Sequence, residues 1–263
     1  MIEVDRPNRA ERRRSGKSDP LDAVEAARAA LGGRAKSISK SKDGAIEAIR
    51  VLVVAKRSAR GARVKALTQM RHLVITAPDQ LRSRLRGLSV IALVNEAARL
   101  RPSRSGDAVM AAHKAALCSL ARRIQGLEEE LAELDGRIAV LVESAAPELL
   151  ARFGVGPDTA AALLVSAGDN PERLHSEADW AHLCGVAPIP ASSGKSNRHR
   201  LDRGGDRQAN SALWRIVMVR IAHDPDTTAY FERKVKEGRS KRDVIRLLKR
   251  YVARELYRYL PRG

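Results

Sequence analysis

Aromatic side chains are scarce: the 263 residues hold two Trp, four Tyr and two Phe. All eight (Phe153, Trp180, Trp214, Tyr230, Phe231, Tyr251, Tyr257, Tyr259) lie after residue 150. The first 150 residues are therefore almost purely aliphatic in their apolar content, which suits packed helices better than a sheet-based globule. Cysteine is nearly absent. Cys118 and Cys184 lie far apart and cannot form a disulfide framework, which predicts a reducing compartment. No apolar run approaches the ~18–20 residues of a membrane span, and the opening residues are too charged for a signal peptide. The sequence thus reads as cytoplasmic, with no membrane partner. Acidic residues are also in deficit, 31 Asp+Glu against 49 Lys+Arg, a formal charge of +18. An excess of that size favours a polyanionic partner, with nucleic acid the first choice.

Three zones follow from composition. In residues 1–42, a short alternating stretch (Ile2-Glu3-Val4) precedes a basic loop with Arg6, Arg9, Arg12, Arg13, Arg14 and Lys17. An alanine-rich helix then runs from about Pro20 to Leu31 and stops at Gly32-Gly33. This zone reads like a domain that has lost its beginning. Residues 43–146 predict long helices. Ile46, Ile49, Val53, Val64, Leu67 and Met70 share one helix, with Lys56, Arg57, Arg60 and Arg63 on a basic face. A turn near Pro78 precedes Leu81, Leu85, Leu88 and Leu93, and the 102–106 stretch breaks the helix. Leu117, Leu120, Ile124, Leu127, Leu131, Leu134, Ile138 and Leu141 then alternate spacings of three and four, a coiled-coil seam of about four heptads. Gly126 and Gly136 each cost about 1 kcal/mol of helix propensity, so this helix needs a partner. The partner is either the preceding long helix folded back or a second subunit. Residues 147–263 form the aromatic-containing part, with helices expected at 157–167, 176–184, 207–223, 227–237 and 240–259.

Several constellations bear on chemistry. Asp19 and Asp22 stand three apart at a helix start, where they suit either a divalent metal or simple capping, with Asp19 as N-cap and Asp22 at the third helical position. Gly154-Val155-Gly156-Pro157 has the form of a helix-hairpin-helix turn, whose amides grip a phosphate, or of an ordinary glycine turn. Ser192-Ser193-Gly194-Lys195 lies in a basic loop with Arg198, Arg200, Arg203 and Arg207 nearby; such a serine is either a nucleophile toward phosphorus or part of a flexible loop. The last helix carries Arg246, Lys249, Arg250, Arg254 and other cations opposite Ile245, Leu248, Val252 and Leu256, a one-signed surface suited to phosphate contact.

Read together, Cys184-Gly185-Val186-Ala187-Pro188, Ser192-Ser193-Gly194 and the run Leu201-Asp202-Arg203-Gly204-Gly205-Asp206 through Leu213 resemble the C-terminal domain of bacterial insertion-sequence transposases of the 110/116/902 group, called DEDD transposases. The likeness continues through Glu237-Gly238 and Lys249–Tyr257, and Gly16–Ala23 resembles the end of that family's RuvC-like (RNase H-fold) nuclease domain. The resemblance implies a mainly α chain in three parts. Residues 1–42 would be the end of the RuvC-like domain, 43–146 a long helical or coiled-coil linker, and 147–263 an all-α transposase domain with the helix-hairpin-helix turn and the serine loop. It implies that Asp19 and Asp22 match the last two of four metal-binding acids, that Ser193 matches the serine, and that Mg2+ is the cofactor. The first Asp and the Glu have no counterpart, and Asp5 and Glu11 are not in the right context to replace them. The chain then reads as N-terminally truncated, and as inactive in strand transfer by itself. DNA, a structured guide RNA and further copies of the chain are the implied partners, with DNA cleavage and rejoining through a serine–DNA intermediate as the implied activity. The alternative is a non-catalytic, basic coiled-coil nucleic-acid-binding remnant or regulator of transposition.

Overall fold

The computed structural model describes residues 2–4, 18–33, 37–101, 107–192 and 199–261. Two compact units emerge, one of Ile49–Leu141 and one of Met1–Ala48 with Val142–Gly263. The chain is mainly helical, and no helix among the described residues is long and apolar enough to cross a membrane.

The described residues ahead of Ala45 contribute two short strands and a helix. Strands β1 (Ile2–Glu3) and β2 (Ser37–Ile38) pair antiparallel, Ile2 opposite Ile38. Between them lies α1 (Asp19–Leu31). Its N-cap is Ser18, not Asp19 as the spacing suggests: extended backbone at Ser18 lets the hydroxyl accept from the Leu21 amide at 3.3 Å. Asp19 therefore takes the first helical position and Asp22 the fourth, and no α1 residue is buried.

Unit Ile49–Leu141 is built on two long helices, α2 (Ala45–Thr76) and α5 (Ala108–Ala145), which both extend past the unit's limits. The leucine run at 81–93 is not one helix. It divides into α3 (Asp79–Leu85) and α4 (Val90–Ala98) at Gly87, whose φ of 85° no continuing helix can accommodate. Met70, Val74, Leu81, Leu85, Leu93, Leu117, Ala121 and Ile124 form one core. Lys56 pairs with Asp135, and Arg63 Nε donates to Glu128 Oε1 at 2.8 Å. As the position on α2 rises from 56 to 63, that on α5 falls from 135 to 128, so the helices run antiparallel. The seam thus has an intrachain partner. Leu117, Ile124 and Ile138 are buried, whereas Leu120, Leu127, Leu131, Leu134 and Leu141 stay half-exposed.

In the other unit, α6 (Pro147–Leu150) leads through a turn to α7 (Pro157–Ala167), nearly all of which is buried. After a 3-10 turn at Pro171–Arg173 come α8 (Glu177–Leu183), the antiparallel strands β3 (Ile189–Pro190) and β4 (His199–Arg200), α9 (Arg207–His223), α10 (Pro225–Lys236) and α11 (Lys241–Tyr257). Helix α9 packs on both α7 and α11, and α8 closes the other side of α11. Trp180, Leu163, Leu164, Leu213, Ile216, Val244 and Leu256 are wholly buried there. Caps set the limits. Ser176 accepts from the Asp179 amide, Asp206 from those of Gln208 and Ala209, and Asp224 both ends α9 and accepts from the Thr227 amide. Ser240 and Asp243 exchange two hydrogen bonds at the start of α11. Asp169 supplies a cap from far away in sequence: its carboxylate accepts from the Ile46 and Glu47 amides, at 2.8 and 3.0 Å, at the start of α2.

Candidate nucleic-acid interface

The site begins with a backbone crossing. Helix α8 ends at Cys184, and Gly185 follows at φ 64°, a conformation glycine adopts without strain. Gly205 lies against it so closely that a Cβ there would overlap the Gly185 nitrogen and Cα. The Asp206 amide donates to Leu183 O at 2.6 Å and ties the start of α9 to the end of α8. Asn210, one turn into α9, donates from Nδ2 to the carbonyls of Cys184 (2.8 Å) and Gly185 (3.1 Å). Its Oδ1 accepts from Lys249 Nζ of α11 at 2.8 Å. One amide side chain therefore joins the loop, α9 and α11. The Cys184 thiol beneath is buried, and burial, then the Asp206 charge, pushes its pKa far above the ordinary thiol range, so it is inert.

Above this crossing lies a pocket of about 560 Å³ walled by Val186, Ala187 and Pro188 and by Arg200, Arg203, Arg246, Lys249 and Arg250. Five cations thus face two carboxylates, Asp202 and Asp243. Both acids are engaged, Asp202 with the Gly204 amide (2.8 Å) and Asp243 with Ser240 and with Arg246 at 2.7 Å. The hydrogen bond from Ser240, then that from Arg246, holds the Asp243 carboxyl below its usual pKa. A second pocket of about 460 Å³ shares Arg203, Asn210 and Lys249 with the first and adds Arg207, Ser211 and Trp214. Desolvation, then repulsion from Arg246, lowers the Lys249 pKa. An anion bound there would offset both costs by its charge. Arg250 Nη1 is buried without a hydrogen-bond partner, a donor still to be used. Arg200, Arg203 and Arg207 make no ion pair with any described residue.

The structure gathers Arg200, Arg203, Arg207, Arg246, Lys249 and Arg250 in this double cleft. Other candidate residues lie elsewhere. Arg254 Nε binds Glu177 Oε1 at 2.8 Å, so its charge is largely answered within the fold. Gly154, at φ 79°, packs against Arg220 and the Ile216 carbonyl, and Arg220 Nε donates to Phe153 O. The Gly156 amide donates to Thr159 Oγ1 at 3.0 Å. The Arg220 bond ties the turn to α9 and the Gly156 bond caps α7, so both donors serve the fold. Ser193 and Arg198 lie outside the described residues; on either side of them, Pro190 and His199 are paired, and His199 lines the cleft.

Asp19 and Asp22 have no third His, Cys, Asp or Glu gathered with them among the described residues. Two carboxylates on an exposed helix do not fit Mg2+, which needs near-octahedral oxygen coordination and more anchoring than this pair supplies. Asn210 and Trp214 were the residues sequence reasoning passed over. A short amide one turn into an otherwise amphipathic helix is the signal for the first; nothing local marks the second.

Residues 146–232 match the family model described as Transposase IS116/IS110/IS902 family. The chain is 31% identical over 148 residues to an insertion element IS110 uncharacterized 43.6 kDa protein of Streptomyces coelicolor, a match covering 55% of this chain and 36% of that one. It is 28% identical over 134 residues to an insertion element IS900 uncharacterized 42 kDa protein of Mycobacterium paratuberculosis, covering 50% and 34%. The matched stretches thus span about a third of either relative. By these similarities the chain resembles the insertion-sequence transposases of the IS116/IS110/IS902 family, most directly over residues 146–232.

Proposed function

We propose that this chain is the nucleic-acid-holding part of an insertion-sequence transposase, and that the cleft between the 185–206 segment, α9 and α11 grips the phosphate backbone. The observation that carries this reading is the set of six cations around two adjoining pockets, four of them (Arg200, Arg203, Arg207 and Lys249) without an acidic partner among the described residues. DNA is the substrate, and a structured guide RNA presents the same backbone to the same cations. In the full reaction, Ser193 Oγ attacks phosphorus and displaces a deoxyribose oxygen, which takes up a proton; the reverse attack rejoins the strands. The paired strands that flank the serine support this role, because they bring His199 and Arg200 to the cleft. No step is assigned to Mg2+. Half-exposed Leu127, Leu131 and Leu134 support association of copies through α5, and the short β1–β2 pair is read as the end of an RNase H-like sheet.

The test compares salt slopes. Arg203 and Arg207 make no ion pair among the described residues, so R203A/R207A should flatten log K against log[salt] by about 1.4–1.8, two contacts' worth. R254A removes a cation already held by Glu177 and should change the slope by clearly less than one contact. An R203A/R207A slope equal to that of the unsubstituted chain would place the interface elsewhere.

A further inference from the structure

Three of the eight aromatic residues are exposed: Phe153, Trp214 and Tyr251. Trp214 differs from the other two in its surroundings. It is 47% exposed, whereas Trp180, the only other tryptophan, is fully buried. Its ring borders the 460 Å³ pocket that Arg203, Arg207 and Lys249 also line, with Ser211 one turn before it on the same face of α9. That volume lies within the range of about 300–1,000 Å³ in which proteins hold small ligands. Phe153 also borders a pocket, but there Arg220 is bound to Glu255 at 2.6 and 2.9 Å, Arg152 stacks on Tyr259, and Asp224 adds a second carboxylate. Beside Trp214, Arg203 and Arg207 make no ion pair among the described residues, Lys249 is held only by the Asn210 amide oxygen, and the ring carries no stacked partner among the described residues.

We infer that Trp214 is a stacking platform for one unpaired nucleobase, whose flanking phosphates lie on Arg203, Arg207 and Lys249. This deepens the backbone-binding reading and rests on it. An indole face attracts any base, and guanidinium groups on the wall of the same pocket fix the phosphates, the combination by which proteins hold single strands. A duplex buries its base faces against each other and offers none to the ring. The site therefore favours a single strand, or a nucleotide turned out of a duplex, over intact duplex of equal charge.

The experiment follows tryptophan fluorescence of the full chain at low salt, titrated with a ten-nucleotide oligothymidylate and with an abasic phosphodiester oligomer of the same length. Trp180 is shielded, so quenching reports Trp214. The thymidylate should quench and bind about 5- to 150-fold more tightly than the abasic strand, the equivalent of about 1–3 kcal/mol for one stacked base. W214A should bind both strands equally with its salt slope retained, and W214F should recover most of the preference. Equal binding of the two strands by the unsubstituted chain, or a preference retained by W214A, would overturn the stacking role and leave backbone binding intact. If neither strand binds, both readings fall.

Discussion

Raising salt fourfold, from 50 to 200 mM, should weaken binding of this chain to DNA on the order of a thousandfold. The expectation comes from counting cations that can reach phosphate. Arg200, Arg203, Arg207, Arg246, Lys249 and Arg250 line the two pockets, and each phosphate they neutralise releases about 0.9 of a counterion from B-DNA. Six contacts give a slope near −5, and the logarithm of four multiplies it to about three decades. The partner carboxylates do not cancel this estimate. Asp202 is held by the Gly204 amide, Asp243 keeps its Ser240 hydrogen bond when a phosphate takes Arg246 from it, and Arg250 reaches Glu177 only at 3.6 Å. Sequence preference should be weak, since these are backbone contacts. Binding measured by fluorescence anisotropy across that range tests it, and a loss of tenfold or less would mean that one or two contacts at most are made.

Substituting Gly205 with Ala should abolish the cleft, while the same change one residue earlier should not. A Cβ at Gly205 meets backbone, the nitrogen and Cα of Gly185 and, at 3.0 Å, the Cys184 carbonyl carbon. No rotamer change relieves a clash with main chain, so the α8–α9 crossing must open. Opening it takes away the Asp206–Leu183 bond and the two Asn210 bonds, and with them the anchor of Lys249. A loss of about 3 kcal/mol or more is expected. At Gly204 the nearest atom is Asp202 Oδ1 at 3.3 Å, the end of a side chain, which can move. G205A should therefore lower the Tm by several degrees and weaken DNA binding, and G204A should do neither. Equal behaviour of the two variants in thermal unfolding would show that the crossing is not as tight as drawn.

Much of the helical layout was legible because its signals are local. Helices at 157–167 and 207–223 were bounded as the structure has them, since Pro157, Gly168, Asp206 and Asp224 carry their meaning within one turn. Ser18 was missed as a cap because Asp19-Pro20 offers an equally good pattern one residue later. The split between α3 and α4 hides in a leucine spacing that a single helix would also satisfy. Asp169 could not be read at all as the cap of α2, being more than 120 residues from the amides it serves. The same holds at the site. Arg246, Arg250 and Arg254 share one sequence pattern, yet Glu177 on α8 takes Arg254 at 2.8 Å and Arg250 only at 3.6 Å, while Arg246 binds Asp243 on its own helix. Trp214 shows only as an aromatic in an amphipathic helix until α11 and the loop place cations beside it.

Photocrosslinking tests the central claim most directly, because a second basic surface competes for the role: Arg57, Arg60 and Lys65 along α2, where Lys56, expected on that face, is instead buried against Asp135. A 5-iodouracil oligonucleotide is bound to the chain, irradiated, and the attached peptides are identified by mass spectrometry. Crosslinks should fall within residues 199–218 and 241–254, with Trp214 the foremost acceptor. Crosslinks confined to residues 49–141 would contradict the account and move the nucleic-acid interface to the long-helix unit.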